Sequence, residues 1–155
     1  MVAYEVIRLN MVKILIISIA AYLIATCITI AKDITPNEAA TKLDNNLMII
    51  DVRSKSEWKE TGVIANAKLI QMYTSTRTLR KEYISELLDL IGDNKSIEVA
   101  IICHSGGRSS ATVKILEEKG YYNISNIAEG MVGTNSKEGW INRGLPTVKC
   151  SKECE

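Results

Sequence analysis

The sequence predicts an α/β fold in which a parallel β-sheet is flanked by helices on both faces. Apolar runs such as 47–52 and 96–103 are continuous and do not alternate with polar residues, a pattern typical of strands covered on both faces. Strand-like and helix-like segments also alternate along the chain. The chain has 155 residues, enough for one domain with a core but not comfortably for two. We therefore predict one domain over 32–149, followed by a cysteine-containing tail over 150–155.

The domain is predicted to open with a helix, because the sequence there carries several helix-start signals. Thr35 is a suitable N-cap, Pro36 fits the first helical position, and Glu38 completes a capping box. The other elements follow from apolar runs, helical periodicity and glycine stop signals. They are predicted as strands at 47–52, 67–72, 96–103 and 123–130, and as helices or helical turns at 54–62, 76–92, 108–120 and 136–146. The segment 76–92 is the longest predicted helix, and Leu79 begins its apolar stripe.

An uncharged apolar run over 14–31 follows Lys13 near the start of the chain. Residues 1–31 are interpreted either as a cleaved signal peptide or as an uncleaved membrane anchor, for which about 17–25 residues are needed. Cys27 raises a lipoprotein site as a third idea, but the residues before it fit that site poorly. We favour the signal peptide. By the positive-inside rule, both main interpretations place the domain outside the cytoplasm, in the periplasm or another extracytoplasmic space.

The charge of the chain is nearly balanced. Lys and Arg together number 19 and Asp and Glu 18, which gives a formal net charge of +1. No basic stripe or long acidic tail interrupts this balance. The composition argues against a nucleic-acid-binding protein that works through bulk electrostatics, and a membrane is expected to contact only the N-terminal segment.

The stretch "VAIICHSGGRSS" is the strongest candidate for a functional site. Cys103 ends an apolar strand and stands just before a predicted helix, where free backbone N–H groups and the helix dipole favour a thiolate. Gly106 and Gly107 allow the loop to curl so that its N–H groups point inward, and Ser105 and Ser109 offer hydroxyl donors. The alternative is a buried structural cysteine beside an ordinary turn. We favour the functional interpretation because these features coincide at one strand end.

This loop resembles the active-site loop of the rhodanese family, whose single-domain members often carry Cys-x-x-Gly-x-Arg. The segment 49–67 resembles the family's Asp-Val-Arg…Glu…Gly-His-Ile-x-Gly-Ala pattern, and 128–148 resembles its closing segment with Trp and Gly-x-Pro-Val. Val63 and Asn66 depart from the usual His and Gly, and the stretch before Trp140 is longer. The last departure is expected to reshape the rim of the pocket.

The resemblance implies a rhodanese-like single domain with a five-stranded parallel sheet, and sulfur transfer through Cys103. The thiolate would take the outer sulfur of a donor such as thiosulfate and pass it from a persulfide to cyanide or a thiol. The backbone of residues 104–108 would cradle the persulfide, and no cofactor is implied. A protein partner in a sulfur relay is a further expected acceptor.

Two alternatives remain open at this point. One is a non-catalytic persulfide carrier or docking module, which would turn over slowly with free thiosulfate. The other is a phosphatase or arsenate reductase on a related fold, which the resemblance disfavours because those loops have five residues between Cys and Arg. Here Cys103 and Arg108 are separated by four residues.

For other polar residues near the loop, the sequence predicts mainly structural or pocket-lining roles. Arg108 is interpreted either as a ligand for a sulfonate group or, slightly preferred, as an ion-pair partner of Glu57 or Asp51 that braces the loop. His104 is predicted to line the pocket or face solvent rather than to act as a base. Asp51 and Arg53 end a strand at the same edge of the sheet and are predicted to be structural.

The tail contains a second pair of cysteines, Cys150 and Cys154. In an oxidising compartment, a disulfide or free tail thiols are favoured over a relay pair for the persulfide. A zinc site that combines them with Cys103 and His104 is weakly supported, since only one closely spaced pair is present. We predict no metal site.

Overall fold

The structure is a computed structural model that describes residues 32–45 and 47–150, together with Met11 and Lys13. The strands in it are β1 (Lys32–Ile34), β2 (Met48–Asp51), β3 (Lys68–Leu69), β4 (Val99–Ile102) and β5 (Ile124–Ile127). The α-helices are α1 (Pro36–Ala40), α2 (Lys55–Thr61), α3 (Tyr83–Ile91), α4 (Gly107–Glu118) and α5 (Gly139–Asn142), with a short 3-10 helix at Leu43–Asn45.

All five strands belong to one parallel sheet in the order β1-β5-β4-β2-β3. β4 lies at its centre, and its Ile102 pairs with Asp51 of β2. The carboxyl ends of these two neighbouring strands therefore lie side by side. In an open α/β sheet, ligands bind beyond this edge, so both loops that leave it are placed to form a site. The predicted five-stranded parallel α/β fold is confirmed.

Successive residues of the central strands enter two different apolar cores, one on each face of the sheet. Ile101 packs in the first core with Leu87 of α3 and Leu116 of α4. Ile102 packs in the second core with Ala39 of α1 and Trp140 of α5. Burial on both faces explains the continuous apolar sequence of β4, since neither set of side chains faces water.

The first two helices of the domain both begin with a capping box, of which only the first was predicted. Thr35 and Glu38 form a complete capping box at α1, with Pro36 as the first helical residue. Ser54 and Glu57 form a second complete capping box at α2. Each box satisfies backbone N–H groups that have no partner within the helix.

The prediction of a long helix over 76–92 is wrong in its first part, because α3 begins only at Tyr83. The residues before it form a turn in which the Thr74 N–H donates to the Thr78 carbonyl at 2.8 Å. Tyr73 pairs with Leu79 in an antiparallel bridge, so Leu79 is exposed instead of starting an apolar stripe. The longest helix of the described region is α4. The threonine-rich sequence favours this turn, since its hydroxyls compete for backbone groups.

The strand β1 was not predicted from the residue pattern. It is three residues long and mostly exposed, so it carries no continuous apolar run, and it pairs with β5 at the edge of the sheet. The predicted signal peptide or anchor over 1–31 lies outside the described residues apart from Met11 and Lys13. In the part that is described, no helix is long and apolar enough to span a membrane.

Candidate active site

Cys103 lies directly after β4, at the carboxyl edge of the sheet, and its side chain is buried with 1% of its surface exposed. Two groups donate hydrogen bonds to its sulfur. The backbone N–H of Gly106 lies 3.2 Å from Sγ, and the hydroxyl of Ser109 lies 3.3 Å from it. Both donors belong to the start of α4. Hydrogen-bond donors in such a position favour negative charge on a cysteine sulfur.

A glycine is required at position 106 for this geometry. Gly106 has a φ of 96°, in the left-handed region that favours glycine. A Cβ atom there would lie 2.1 Å from the carbonyl oxygen of Ala128, which is far inside van der Waals contact. By contrast, a Cβ at Gly107 would meet no atom within 4 Å. The two adjacent glycines therefore have different roles, and only the first is fixed by close packing.

The turn after β5 holds the cysteine loop from its other side. The N–H of Met131 donates to the Cys103 carbonyl at 2.8 Å, and the N–H of Val132 donates to the His104 carbonyl at 2.9 Å. Gly130 has a φ of 67°, and a Cβ there would lie 2.5 Å from the His104 carbonyl. These contacts fix the backbone of the loop, so the donors around the sulfur are ordered before any substrate binds.

Glu57 of α2 connects the cysteine loop to the loop after β2. Its carboxylate accepts two hydrogen bonds from Arg108, at 2.8 and 2.6 Å, and Nδ1 of His104 lies 3.2 Å from Oε1. Burial raises the pKa of Glu57, but hydrogen bonds from Arg108 and Ser54 outweigh it and lower the pKa to about 2. Of the two roles considered for Arg108, the structure shows the ion pair with Glu57, and His104 lies partly exposed at the same carboxylate.

Asp51 and Arg53 form a separate ion pair beneath this surface, and both side chains are fully buried. Arg53 donates to both oxygens of Asp51, with its Nη2 at 2.7 Å from Oδ2. It also donates to the Thr61 hydroxyl and the Gly62 carbonyl. These bonds use the guanidinium fully and connect β2 to the end of α2, which agrees with the predicted structural role.

Behind the loop, a buried pair of hydroxyl groups joins α3 to α4. The Tyr83 hydroxyl lies 2.6 Å from Oγ1 of Thr112, and that threonine donates to the Arg108 carbonyl at 3.0 Å. Burial raises the pKa of Tyr83 to about 12, so its hydroxyl stays neutral at ordinary pH. Sequence reasoning missed this pair, since it assigned Tyr83 to the apolar face of a helix and no motif identifies Thr112.

A cavity of about 790 Å³ adjoins the loop. Glu57 of α2 and Arg108 of α4 line it together with Tyr73, Thr74 and Arg77 of the turn before α3. The last three residues were not predicted as site residues, because Arg77 fell within the predicted helix over 76–92 and Tyr73 and Thr74 fell in the connection before it. The threonine-rich stretch around them was the available signal for a turn.

The remaining predictions have mixed outcomes. Ser105 does not donate to the sulfur, for which Gly106 and Ser109 are the donors among the described residues. Asn66 has a φ of 63°, so asparagine, which tolerates this conformation, replaces the glycine usual in the family. The longer stretch before Trp140 was expected to reshape the pocket rim, but none of its residues lines the cavity.

The second cysteine pair is described only in part. Cys150 is disulfide-bonded, whereas Cys154 lies outside the described residues. Cys103 is a free thiol. Within the residues that the structure describes, no group of three or more His, Cys, Asp or Glu side chains is arranged to hold a metal ion.

The fold and the site together define a class of parallel α/β proteins. Members of this class carry a buried thiol at a strand end, with hydrogen-bond donors from a glycine loop and a helix start. The chain belongs to the rhodanese-like domain family, whose model matches residues 35–137. This match includes the cysteine loop, α2 and the turn that lines the cavity.

Individual proteins give the same picture. The chain is 30% identical over 104 residues to an uncharacterized protein of Rickettsia prowazekii, covering 67% of this chain and 85% of that protein. It is 23% identical over 114 residues to thiosulfate sulfurtransferase 18 of Arabidopsis thaliana, covering 71% of this chain and 78% of the relative.

Solved structures share the fold. The crystal structure of Rv0390 from M. tuberculosis superposes with a TM-score of 0.63 at 27% identity, covering 77% of this chain and 98% of that one. The solution structure of the polysulfide-sulfur transferase homodimer from Wolinella succinogenes superposes with a TM-score of 0.59 at 26% identity, covering 79% and 81% of the two chains.

Proposed function

We propose that this protein is a sulfurtransferase that moves a sulfane sulfur from a donor such as thiosulfate to a thiophilic acceptor. The observation that carries this proposal is the environment of Cys103, whose sulfur accepts hydrogen bonds from the Gly106 N–H and the Ser109 hydroxyl. The likeness to a plant thiosulfate sulfurtransferase and to a bacterial polysulfide-sulfur transferase supports it. The family itself is compatible with more than one sulfur donor.

The reaction would proceed by two displacements. First, the Cys103 thiolate attacks the outer sulfur of thiosulfate, the sulfur–sulfur bond of the donor breaks, and its electron pair leaves with sulfite. Cys103 then carries a persulfide, whose negative charge is held at the start of α4. Second, cyanide or a thiolate attacks the outer sulfur, and the electron pair of the broken bond returns to Sγ of Cys103. Neither step needs a cofactor, because sulfite leaves with the electron pair in the first step and the second step returns Cys103 to the thiolate.

The geometry assigns His104 no proton transfer in this cycle. Its side chain is partly exposed and faces Glu57, and attack on a sulfane sulfur by a thiolate or by cyanide moves no proton. Arg108 is held by the same carboxylate. We therefore propose that Glu57 and Arg108 shape the entrance beside the thiol, while Gly106 and Ser109 stabilise the sulfur.

Steady-state turnover tests this proposal. The full chain is mixed with thiosulfate and either cyanide or a thiol, and thiocyanate or sulfite is measured, with an aryl phosphate assayed in parallel. Saturable sulfur transfer without phosphate release supports the proposal. Loading of Cys103 with only slow turnover to both acceptors would favour the carrier alternative. Phosphate release that depends on Cys103, in the absence of sulfur transfer, would overturn it in favour of a phosphatase.

We also propose that the domain works outside the cytoplasm. The apolar N-terminal segment is the basis for this proposal, and the disulfide at Cys150 supports it, because disulfides persist in oxidising compartments. Cell fractionation and sequencing of the mature N-terminus test it. Recovery in the cytoplasmic fraction with the segment intact would contradict it.

A further inference from the structure

We propose that the cavity beside the cysteine loop binds the carboxylate end of an organic thiol acceptor, and that Arg77 selects for that carboxylate. This inference rests on the proposed sulfur transfer and names the class of acceptor. The acceptor would be larger than thiosulfate, with its thiol directed to Cys103 and its carboxylate directed to the turn that contains Arg77.

The size of the cavity indicates a ligand larger than a small inorganic anion. Its volume of about 790 Å³ lies within the range of about 300–1,000 Å³ that holds organic ligands. It also adjoins the start of α4, because Glu57 and Arg108 line it and Arg108 lies five residues after Cys103. A molecule in this cavity would therefore reach the loop at one end.

The charges of the cavity indicate an anionic ligand. Lys55, Arg77 and Arg108 are its three basic lining residues, and Glu57 is its one carboxylate. Both oxygens of Glu57 already accept hydrogen bonds from Arg108. Glu57 is therefore paired with Arg108, and the charged groups that line the cavity remain positive on balance, which favours an anionic ligand.

Arg77 is the basic lining residue that lies in the turn between Thr74 and Thr78. It has a φ of 60°, and its N–H donates to the Thr74 carbonyl at 3.0 Å. Among the described residues, its guanidinium makes no ion pair. A guanidinium presents paired donors that match the geometry of a carboxylate, which gives Arg77 a direct means of selecting such a ligand.

The rest of the wall suits a ligand with amide groups rather than a hydrocarbon. Several lining residues carry hydroxyl groups, namely Ser54, Ser56, Tyr73, Thr74 and Ser75. Gln71 adds an amide to the lining, and its Oε1 accepts from the Lys55 N–H at 3.2 Å. Such groups both donate and accept hydrogen bonds. A short peptide thiol with free carboxylates therefore fits the cavity in size, charge and polarity.

In the proposed reaction, the contact between the carboxylate of the acceptor and Arg77 involves none of the reacting atoms. The acceptor thiolate attacks the outer sulfur of the Cys103 persulfide, that sulfur leaves on the acceptor, and the electron pair returns to Cys103. A carboxylate bound at Arg77 is held equally in the bound state and in the transition state. Loss of this contact is therefore expected to raise KM and to leave kcat nearly unchanged.

The first test compares acceptors on the unmodified full chain. Cys103 is loaded with thiosulfate or polysulfide, loading is verified by mass, and turnover is measured with glutathione and with its diethyl ester at equal thiolate concentrations. We expect a KM about tenfold lower for glutathione, since a charge-assisted contact is lost in the ester. Equal KM values for the two thiols would overturn the inference.

The second test changes the protein. Arg77→Asn removes the charge with a residue that tolerates a positive φ, and we expect it to raise the KM for glutathione about tenfold but not that for the ester. Arg77→Lys should restore much of the preference. Lys119→Asn, which removes an exposed charge at the end of α4, is the matched control and should change neither KM.

The two proposals fail in different ways. Absence of loading on Cys103 with either donor would contradict the sulfur transfer itself. Normal loading, with a KM for glutathione that is unaffected by Arg77→Asn, would contradict only the assignment of Arg77. The rate with the ester reports whether the variant is folded and active, so a general loss of structure is recognised directly.

Discussion

The loops after β2 and β4 leave the same edge of the sheet, yet they hold their polar residues in opposite ways. The loop after β2 buries Asp51 and Arg53 as a pair that satisfies its own charges. The loop after β4 buries Cys103 with two hydrogen-bond donors directed at its sulfur and no buried ion pair of the kind that Asp51 and Arg53 form, among the described residues. The comparison indicates that the first loop serves stability and the second is organised for a reaction.

Substitution of the cysteine gives the largest effect that this comparison predicts. Cys103→Ser should lower sulfur transfer by about a thousandfold or more, because the nucleophile is lost. The free energy of unfolding should change by only about 1 kcal/mol, since the side chain keeps nearly the same size. Turnover and urea unfolding measure the two quantities. Retained turnover would place the reacting sulfur elsewhere.

The reverse result is expected for the loop after β2. Arg53→Met leaves the Asp51 carboxylate buried without its partner, which should lower the free energy of unfolding by about 3–5 kcal/mol. The protein that stays folded should keep its turnover per molecule. Urea unfolding, combined with turnover corrected for the folded fraction, measures both.

A surface ion pair provides the control for Arg53. Lys42→Met breaks the exposed pair with Glu98 and should cost no more than about 1 kcal/mol. If Arg53→Met proved as mild as this control, or if it abolished turnover in folded protein, the assignment of the loop after β2 to stability would be wrong.

Substitutions at the two adjacent glycines test how the backbone of the cysteine loop positions the donors to the sulfur. Gly106→Ala forces a Cβ against the Ala128 carbonyl at a φ of 96°. It should cost about 2 kcal/mol of stability and lower sulfur transfer about tenfold or more by moving a donor away from the sulfur.

Gly107→Ala is the matched control, because a Cβ there meets nothing within 4 Å and alanine is a better helix former than glycine. Its stability and turnover should stay near those of the parent or rise slightly. Similar damage from both substitutions, in parallel thermal unfolding and turnover assays, would mean that close packing at Gly106 does not set the loop geometry.

The smallest predicted effect concerns pH. The pKa of Glu57 falls from an ordinary 4.5 to about 2 in the folded protein, so its ionised form is favoured by folding. The stabilisation is fully present above pH 4.5 and is lost as the pH falls from there toward 2. Glu57→Gln should therefore weaken the dependence of unfolding free energy on pH in this range.

Glu60→Gln, at an exposed position of the same helix, is the control for Glu57. Urea unfolding at several pH values between 6 and 3, about the range in which carboxylates titrate, compares the two variants with the parent. An equal change in both would show that the ion pair with Arg108 does not stabilise the folded state.

Much of the fold was predictable because its local signals agree with its packing. The capping boxes at Thr35 and Ser54 and the continuous apolar run of β4 predict elements that the structure contains. The strand β1 was missed because pairing with β5 defines it, and three mostly exposed residues carry no pattern. Pairing between distant segments leaves little trace in a single stretch of sequence.

Most of the site was predictable only where its residues adjoin one another in the chain, and the pair between Arg108 and Glu57 is the exception. The cysteine loop is a continuous stretch, so its donors Gly106 and Ser109 were identified. Arg77 lies in a different segment and Thr112 lies further along α4, and only the folded arrangement places Arg77 at the cavity and Thr112 against Tyr83. The stretch around Arg77 was also misread, since helical spacing of apolar residues outweighed its threonine-rich composition.

The most direct test of the account is to locate the transferred sulfur. The reduced full chain is mixed with thiosulfate or polysulfide, and intact mass and peptide mapping are compared with those of Cys103→Ser. The account predicts one added sulfur on the peptide that contains Cys103, removed by cyanide and absent from the variant. No added sulfur on a reduced, folded protein, or sulfur on a different cysteine, would contradict it.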